Sequence, residues 1–105
     1  MFVIAPLDAN TMAKLSHGMC DNLLTSVARA WDPMKPVYYC PAMNTYMWEH
    51  PLTQEHIEKL QSLKYIQIPP VSKTLACGDH GKIFIMSIFE CFKYIPLTHL
   101  LTWIF

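Results

Sequence analysis

Three short runs carry side chains whose types and spacing suit chemistry. The first is Asp8-Ala9-Asn10-Thr11, placed just after an apolar stretch and just before a helical pattern. Side-chain oxygens and free backbone N–H groups at a helix start suit a phosphate or the polar edge of a cofactor. They equally suit a plain helix cap. The second run is Pro41-Ala42-Met43-Asn44-Thr45-Tyr46-Met47-Trp48. Asn44 can donate and accept, so at a strand end it can fix a carboxylate or amide. Met43, Met47 and Trp48 would give it a dry wall that strengthens such bonds, or they are core residues and Asn44 a turn former. The third run, Leu75-Ala76-Cys77-Gly78-Asp79-His80-Gly81, sets a thiol between glycines beside a His. Such a loop can close over a site and let Cys77 move a proton or attack. The alternative is a glycine-rich turn with a chance cysteine. Neither GxGxxG nor GxxxxGK[ST] occurs to strengthen a phosphate reading.

The elements that must position these runs are legible from periodicity. Phe2-Val-Ile-Ala reads as a short buried strand ended by Pro6, and a helix follows to about Ser16 with Gly18 as its terminator. Cys20 or Asp21 opens a second helix whose Leu23, Leu24, Val27 and Trp31 share one face. Val37-Tyr38-Tyr39-Cys40 is a second strand stopped by Pro41. His50-Pro51 begins a further helix, with Pro at its first position and Ile57, Leu60 and Leu63 along its buried stripe. Tyr65-Ile66-Gln67-Ile68 is a third strand closed by Pro69-Pro70, and Val71–Gly81 is a loop. Strands alternating with helices imply a parallel sheet covered by helices. Right-handed crossovers then put the loops after Ala5, Cys40 and Ile68 on one edge, where such sheets bind small molecules.

Composition bounds the function. The 105 residues carry 8 basic and 8 acidic side chains, with a formal net charge of zero, so no basic footprint for nucleic acid exists. Four cysteines, Cys20, Cys40, Cys77 and Cys91, form no CxxC pair, and the sequence opens without a signal-peptide pattern. These features predict free thiols in a reduced, cytoplasmic setting. A zinc site from His17, Cys20, Cys77 and His80 lacks the tight ligand pairs of a finger, so no metal is expected. His17, His50, His56 and His99 have no motif context and read as surface or satisfied core residues. The chain is 52% hydrophobic and 15% charged, and the apolar weight gathers at the end. Four of the five Phe residues lie at or beyond Phe84, and residues 83–105 hold only Glu90 and Lys93 as charged side chains. Pro96 and His99 interrupt that stretch, which therefore makes a poor membrane span.

Taken with Ala5–Thr11, Cys20–Thr25 and Ala28–Asp32, the run Pro41–Trp48 resembles the PxMNxxMW signature of the homo-oligomeric flavin-containing cysteine decarboxylases. Ala76–Gly81 is similar to the start of their ACGDxGxGAM flap. The ACGD form resembles the eukaryotic 4'-phosphopantothenoylcysteine decarboxylases of coenzyme A synthesis, over about residues 2–81. The resemblance implies a three-layer, flavodoxin-like (Rossmann-like) α/β parallel sheet. It implies FMN held by Asp8, Ala9, Asn10 and Thr11 with Ala42 against the flavin. It also implies Asn44 on the substrate carboxylate, Thr74, Leu75 and Ala76 on the substrate, and Cys77 as late proton donor. The implied reaction is redox-assisted decarboxylation of 4'-phosphopantothenoylcysteine to 4'-phosphopantetheine in a cytoplasmic homotrimer, without nucleic acid or membrane.

Two departures from the family pattern set further expectations. The family's first βα unit, with its phosphate loop and catalytic His, is expected before Met1, which leaves the sheet without its first strands and this chain without decarboxylation on its own. After Gly81 the xGAM continuation gives way to Lys82-Ile83-Phe84-Ile85. Residues 1–81 are thus expected to form a partial flavoprotein domain, and 82–105 a divergent tail encoded by intron read-through. The alternatives are a non-catalytic flavin- or subunit-binding fragment or regulator, and a mis-spliced product. Lys64 stands where the family pattern calls for Gly at a helix end, and a left-handed Lys there costs about 1 kcal/mol.

Overall fold

The structure, a computed structural model, describes residues 1–69, 72–74, 82–84 and 95–96. Three parallel strands form the main sheet in the order β1 (Phe2–Leu7), β2 (Val37–Pro41), β3 (Ile66–Gln67). Phe2, Val3 and Ile4 pair with Val37, Tyr38 and Tyr39, and Tyr38 and Tyr39 pair in turn with Ile66 and Gln67. Every residue of β2 is buried, as expected of a central parallel strand with apolar residues on both faces.

The helices are α1 (Ala9–His17), α2 (Leu23–Ala30), α3 (Thr45–Glu49) and α4 (Pro51–Ser62). Since β1, β2 and β3 advance in one direction across the sheet, right-handed crossovers bring the connecting helices to one face. The core bears this out. Ile4, Val37 and Tyr39 on that face pack with Met12 and Leu15 of α1, Ala28 of α2 and Leu60 of α4. Burying a side chain such as Leu60, fully inaccessible here, contributes about 1.5–3 kcal/mol. The strand residues of opposite parity, Tyr38 and Cys40, pack instead with Ile68 and Ile95, joined by Val3 and Ala5.

Several boundaries differ from the sequence reading. β1 continues through the cis Ala5–Pro6 bond to Leu7, which pairs with Pro41 after a register shift. The irregularity between Ile4 and Leu7 spares Pro6 a ladder donor it cannot supply. Ala9, Asn10 and Thr11 form the first turn of α1, with Asp8 alone as cap.

Helix α2 opens at Asn22 rather than Cys20 or Asp21, because Asn22 and Thr25 cap each other reciprocally. Asp21 is instead paired with Lys14 at 2.7 Å, and this hydrogen bond lowers its carboxyl pKa. The cap turns Thr25 inward, and Thr25 and Ala28 become the buried face while Leu23 stays 80% exposed. Leu24 and Trp31 do pack on the core; Leu23 and Val27 do not share that face.

Leu63 falls outside α4 as its C-cap and is half-exposed, so the buried stripe is Thr53, His56 and Leu60, with Ile57 packed beside it. Lys64 adopts the left-handed conformation at φ 66°, as the helix-end pattern predicts. Within the stretch read as a loop, β4 (Ser72–Thr74) pairs antiparallel with β5 (Lys82–Phe84), which lies in the stretch read as a divergent tail. Ladder hydrogen bonding needs only backbone N–H and C=O groups, so a hairpin forms without the side-chain period sought in sequence.

Candidate active site

The loops after β1 and β2 leave the sheet side by side. Leu7 pairs with Pro41, and the Ala42 N–H donates to the Leu7 carbonyl at 2.9 Å. Each loop then starts a helix with a polar cap. Asp8 Oδ1 accepts from Thr11 N at 2.8 Å, and Asn44 Oδ1 accepts from Met47 N at 2.9 Å. Both caps are exposed. The geometry shows the capping role of both runs: one oxygen of each side chain holds a helix, and this division leaves the other polar atom of each outside the cap.

For Asn44 this division has a chemical consequence. With Oδ1 committed to Met47 N, the amide is oriented, and the two N–H donors of Nδ2 are left for an acceptor outside the chain. Either N–H, so oriented, can donate to an acceptor such as a carboxylate oxygen. Asp8 likewise retains its second carboxylate oxygen. Ala42 is half-buried and Met43 buried beside Asn44, so the donors stand at the margin of an apolar wall.

Helix α4 locks this segment from below. Buried Thr53 donates to the Met47 carbonyl, and its hydroxyl lies 3.8 Å from Met43 Sδ. His50 ends α3 and also caps α4, its Nδ1 accepting from Leu52 N at 3.1 Å. Sequence reasoning missed this role, since His is not among the usual capping types; the following Pro51 was the available signal. His56 is buried and meets the His17 ring edge-on at 5.2 Å.

A cavity of 440 Å³ opens between the start of α1 and the α3–α4 corner, lined by Ala9, Asn10, Met12, Met47 and His56 among others. Of the expected site residues it takes in Ala9 and Asn10; Asp8, Thr11, Ala42 and Asn44 do not line it. Thr74 ends β4 opposite Lys82, its side chain outside the described residues, as are Leu75, Ala76 and Cys77. Among the described residues no group of three His, Cys, Asp or Glu could hold a metal ion, and no helix is long and apolar enough to cross a membrane. Cys20 is an exposed free thiol.

A larger cavity, 510 Å³, lies at the opposite sheet edge, where α1, α2 and α4 end. It contains none of the expected site residues. For binding in a parallel α/β sheet the carboxyl ends of the strands are the relevant edge, so the smaller cavity is the candidate active site despite its size.

Comparison with known proteins bears on the family and the fold. The chain is 58% identical over 81 residues to the phosphopantothenoylcysteine decarboxylase of Mus musculus, covering 77% of this chain and 40% of that protein. It is 54% identical over 81 residues to the Oryza sativa protein of the same name, covering 77% of this chain and 37% of the relative. The chain thus spans well under half the length of these relatives. A cysteine-to-serine mutant of PPC decarboxylase complexed with pantothenoylaminoethenethiol superposes with a TM-score of 0.78 at 46% identity, over 98% of this chain and 54% of that one. The FMN binding protein AtHal3 gives 0.77 at 46% identity, over 96% and 52%. The epidermin biosynthesis protein EpiD from Staphylococcus aureus gives 0.70 at 26% identity, over 89% and 56%. These neighbours share the flavodoxin-like parallel sheet. The family model described as Flavoprotein matches residues 1–95, and the chain belongs to that family.

Proposed function

We propose that this chain carries part of the machinery for FMN-dependent decarboxylation of 4'-phosphopantothenoylcysteine to 4'-phosphopantetheine, a step of coenzyme A synthesis. The observation that carries the reading is the oriented Asn44 amide, one oxygen fixed on Met47 N and two donors free, within a run so similar to the named decarboxylases.

The residues present fit a flavin. The start of α1 offers unpaired backbone N–H groups, the second Asp8 oxygen, the exposed Asn10 amide and the Thr11 hydroxyl, which complement a polar ring edge. Half-buried Ala42 offers an apolar surface for its face. When bound, FMN supplies two-electron oxidation of the cysteinyl thiol and the later return of those electrons; the protein orients and shields. Asn44 Nδ2 holds the carboxylate until CO₂ leaves. Thr74, Leu75 and Ala76 contact the substrate, and the Cys77 thiol donates the proton that completes the product.

The reading extends to a cytoplasmic homotrimer with FMN at subunit interfaces. The free thiol of Cys20 suits a reduced compartment. Exposed Tyr46, Met47 and Leu52, grouped beside the smaller cavity, leave apolar surface for a neighbouring subunit to cover. The test is a chimaera in which the remainder of the Mus musculus relative completes this chain. With FMN it is expected to release CO₂ and 4'-phosphopantetheine from the substrate, and Cys77→Ser is expected to release CO₂ but stall before the product. A soluble, flavin-loaded chimaera that releases no CO₂ would contradict the proposal.

A further inference from the structure

The larger cavity is built from helix ends and cations. Arg29, Lys35, Lys59 and Lys64 line it with a single carboxylate, Asp32. That carboxylate already accepts from Met34 N at 3.0 Å. None of the four cations joins an ion pair among the described residues; Lys14, which does, lies outside the cavity.

Cations at helix C-termini are expected, because the carbonyl ends of α1, α2 and α4 carry partial negative charge. Those three ends offset about half a charge each, so four cations less one carboxylate still leave a surplus of roughly one to two positive charges. Neutralising the helix ends does not account for the whole set.

The wall behind the cations is apolar and aromatic, with Trp31, Val37, Leu63 and Tyr65. Lys35 Nζ lies 6.0 Å from the centre of the Trp31 ring. Trp31 Nε1 is buried with no acceptor, the only such side-chain nitrogen or oxygen among the described residues. A turn of the indole toward an incoming acceptor would therefore satisfy a donor that now has none. The position of Arg29 also depends on its neighbour: a Cβ on Gly18 would stand 2.9 Å from Arg29 Nη1. Glycine there leaves the guanidinium its place at the rim.

We propose that this cavity binds a nucleotide-class ligand, a phosphorylated molecule with a flat ring, independently of the active-site edge. Phosphate oxygens meet Arg29, Lys35, Lys59 and Lys64, and the ring lies along Trp31 and Leu63. A volume of 510 Å³ is within the range of small-molecule sites.

The probe is ADP, titrated calorimetrically into the 105-residue chain at low ionic strength, with pyrophosphate and adenosine as half-molecule controls. Saturable one-to-one binding is expected, weakening with added salt, with each half bound less tightly than ADP. Replacing Arg29→Gln and Lys59→Gln together is expected to weaken ADP about tenfold, and Lys35→Gln alone about threefold. Lys35→Gln changes an exposed loop residue, so its result stands whether or not the double variant folds. No saturable heat with the unmodified chain overturns the proposal, as does unchanged affinity in Lys35→Gln. Pyrophosphate binding as tightly as ADP overturns the assignment of a ring along Trp31.

Discussion

The two edges of the sheet use the same helices in opposite ways. At the carboxyl edge α1, α3 and α4 begin, and Asp8, Asn44 and His50 cap them with one atom each. At the other edge α1, α2 and α4 end, and Gly18 and Lys64 turn left-handed while cations gather around the carbonyl ends. Helix polarity thus sorts the chemistry: oriented polar groups with spare donors or acceptors at one edge, unpaired positive charge at the other. A cap only half used by its helix keeps a second polar atom oriented and available. An open ring of cations recognises charge more than shape.

Alkaline pH should break both edges together, because they rest on one strand. Burial pushes the Tyr39 phenol up to about 12 and raises Tyr38 and Tyr65 as well. A phenol held neutral when folded contributes stability that is complete below its unfolded pKa near 10. That stability is lost as pH rises through the folded value. Between pH 10 and 12 Tyr39 alone should cost roughly 2–3 kcal/mol. Urea melts across that window should show the loss, and Tyr39→Phe should flatten it.

The next largest effects separate the edges. Asp8→Ala removes the oxygen that holds Thr11 N and should lower stability by about 1 kcal/mol, whereas Asp8→Asn, an equally good cap, should not. Gly18→Ala strains the other edge twice, through its φ of 75° and its crowding of Arg29. Thermal melts should show a loss of about 1–2 kcal/mol. Lys64→Gly, at φ 66°, should act in the opposite direction, with a gain of about 0.5–1 kcal/mol.

Much of the carboxyl edge was legible in the sequence. Apolar runs located β1 and β2, though β1 runs past Pro6 to Leu7, and Asp8 and Pro51 marked helix starts by their own conformational preferences. The Pro41–Trp48 run stood out before any geometry. What the sequence concealed was collective. Arg29, Lys35, Lys59 and Lys64 are dispersed along the chain, and only folding gathers them at one cavity. The inward turn of Thr25 depends on a reciprocal cap, against the apolar period of Leu23, Leu24 and Val27. The β4–β5 pairing depends on backbone groups that carry no residue-type signal. Residues that act singly could be read; residues that act through a shared space could not.

Asn44 serves its helix with Oδ1, and in the proposed reaction it serves the substrate carboxylate with Nδ2. Asn44→Asp separates the two roles, because aspartate caps a helix as well as asparagine but presents an anion where donors were. In the flavin-loaded chimaera, kcat/KM for 4'-phosphopantothenoylcysteine should fall by about 100-fold, a loss near 2.7 kcal/mol. The melting temperature and FMN affinity should stay unchanged. An unchanged kcat/KM would contradict the account, and so would a loss of activity matched by an equal loss of fold.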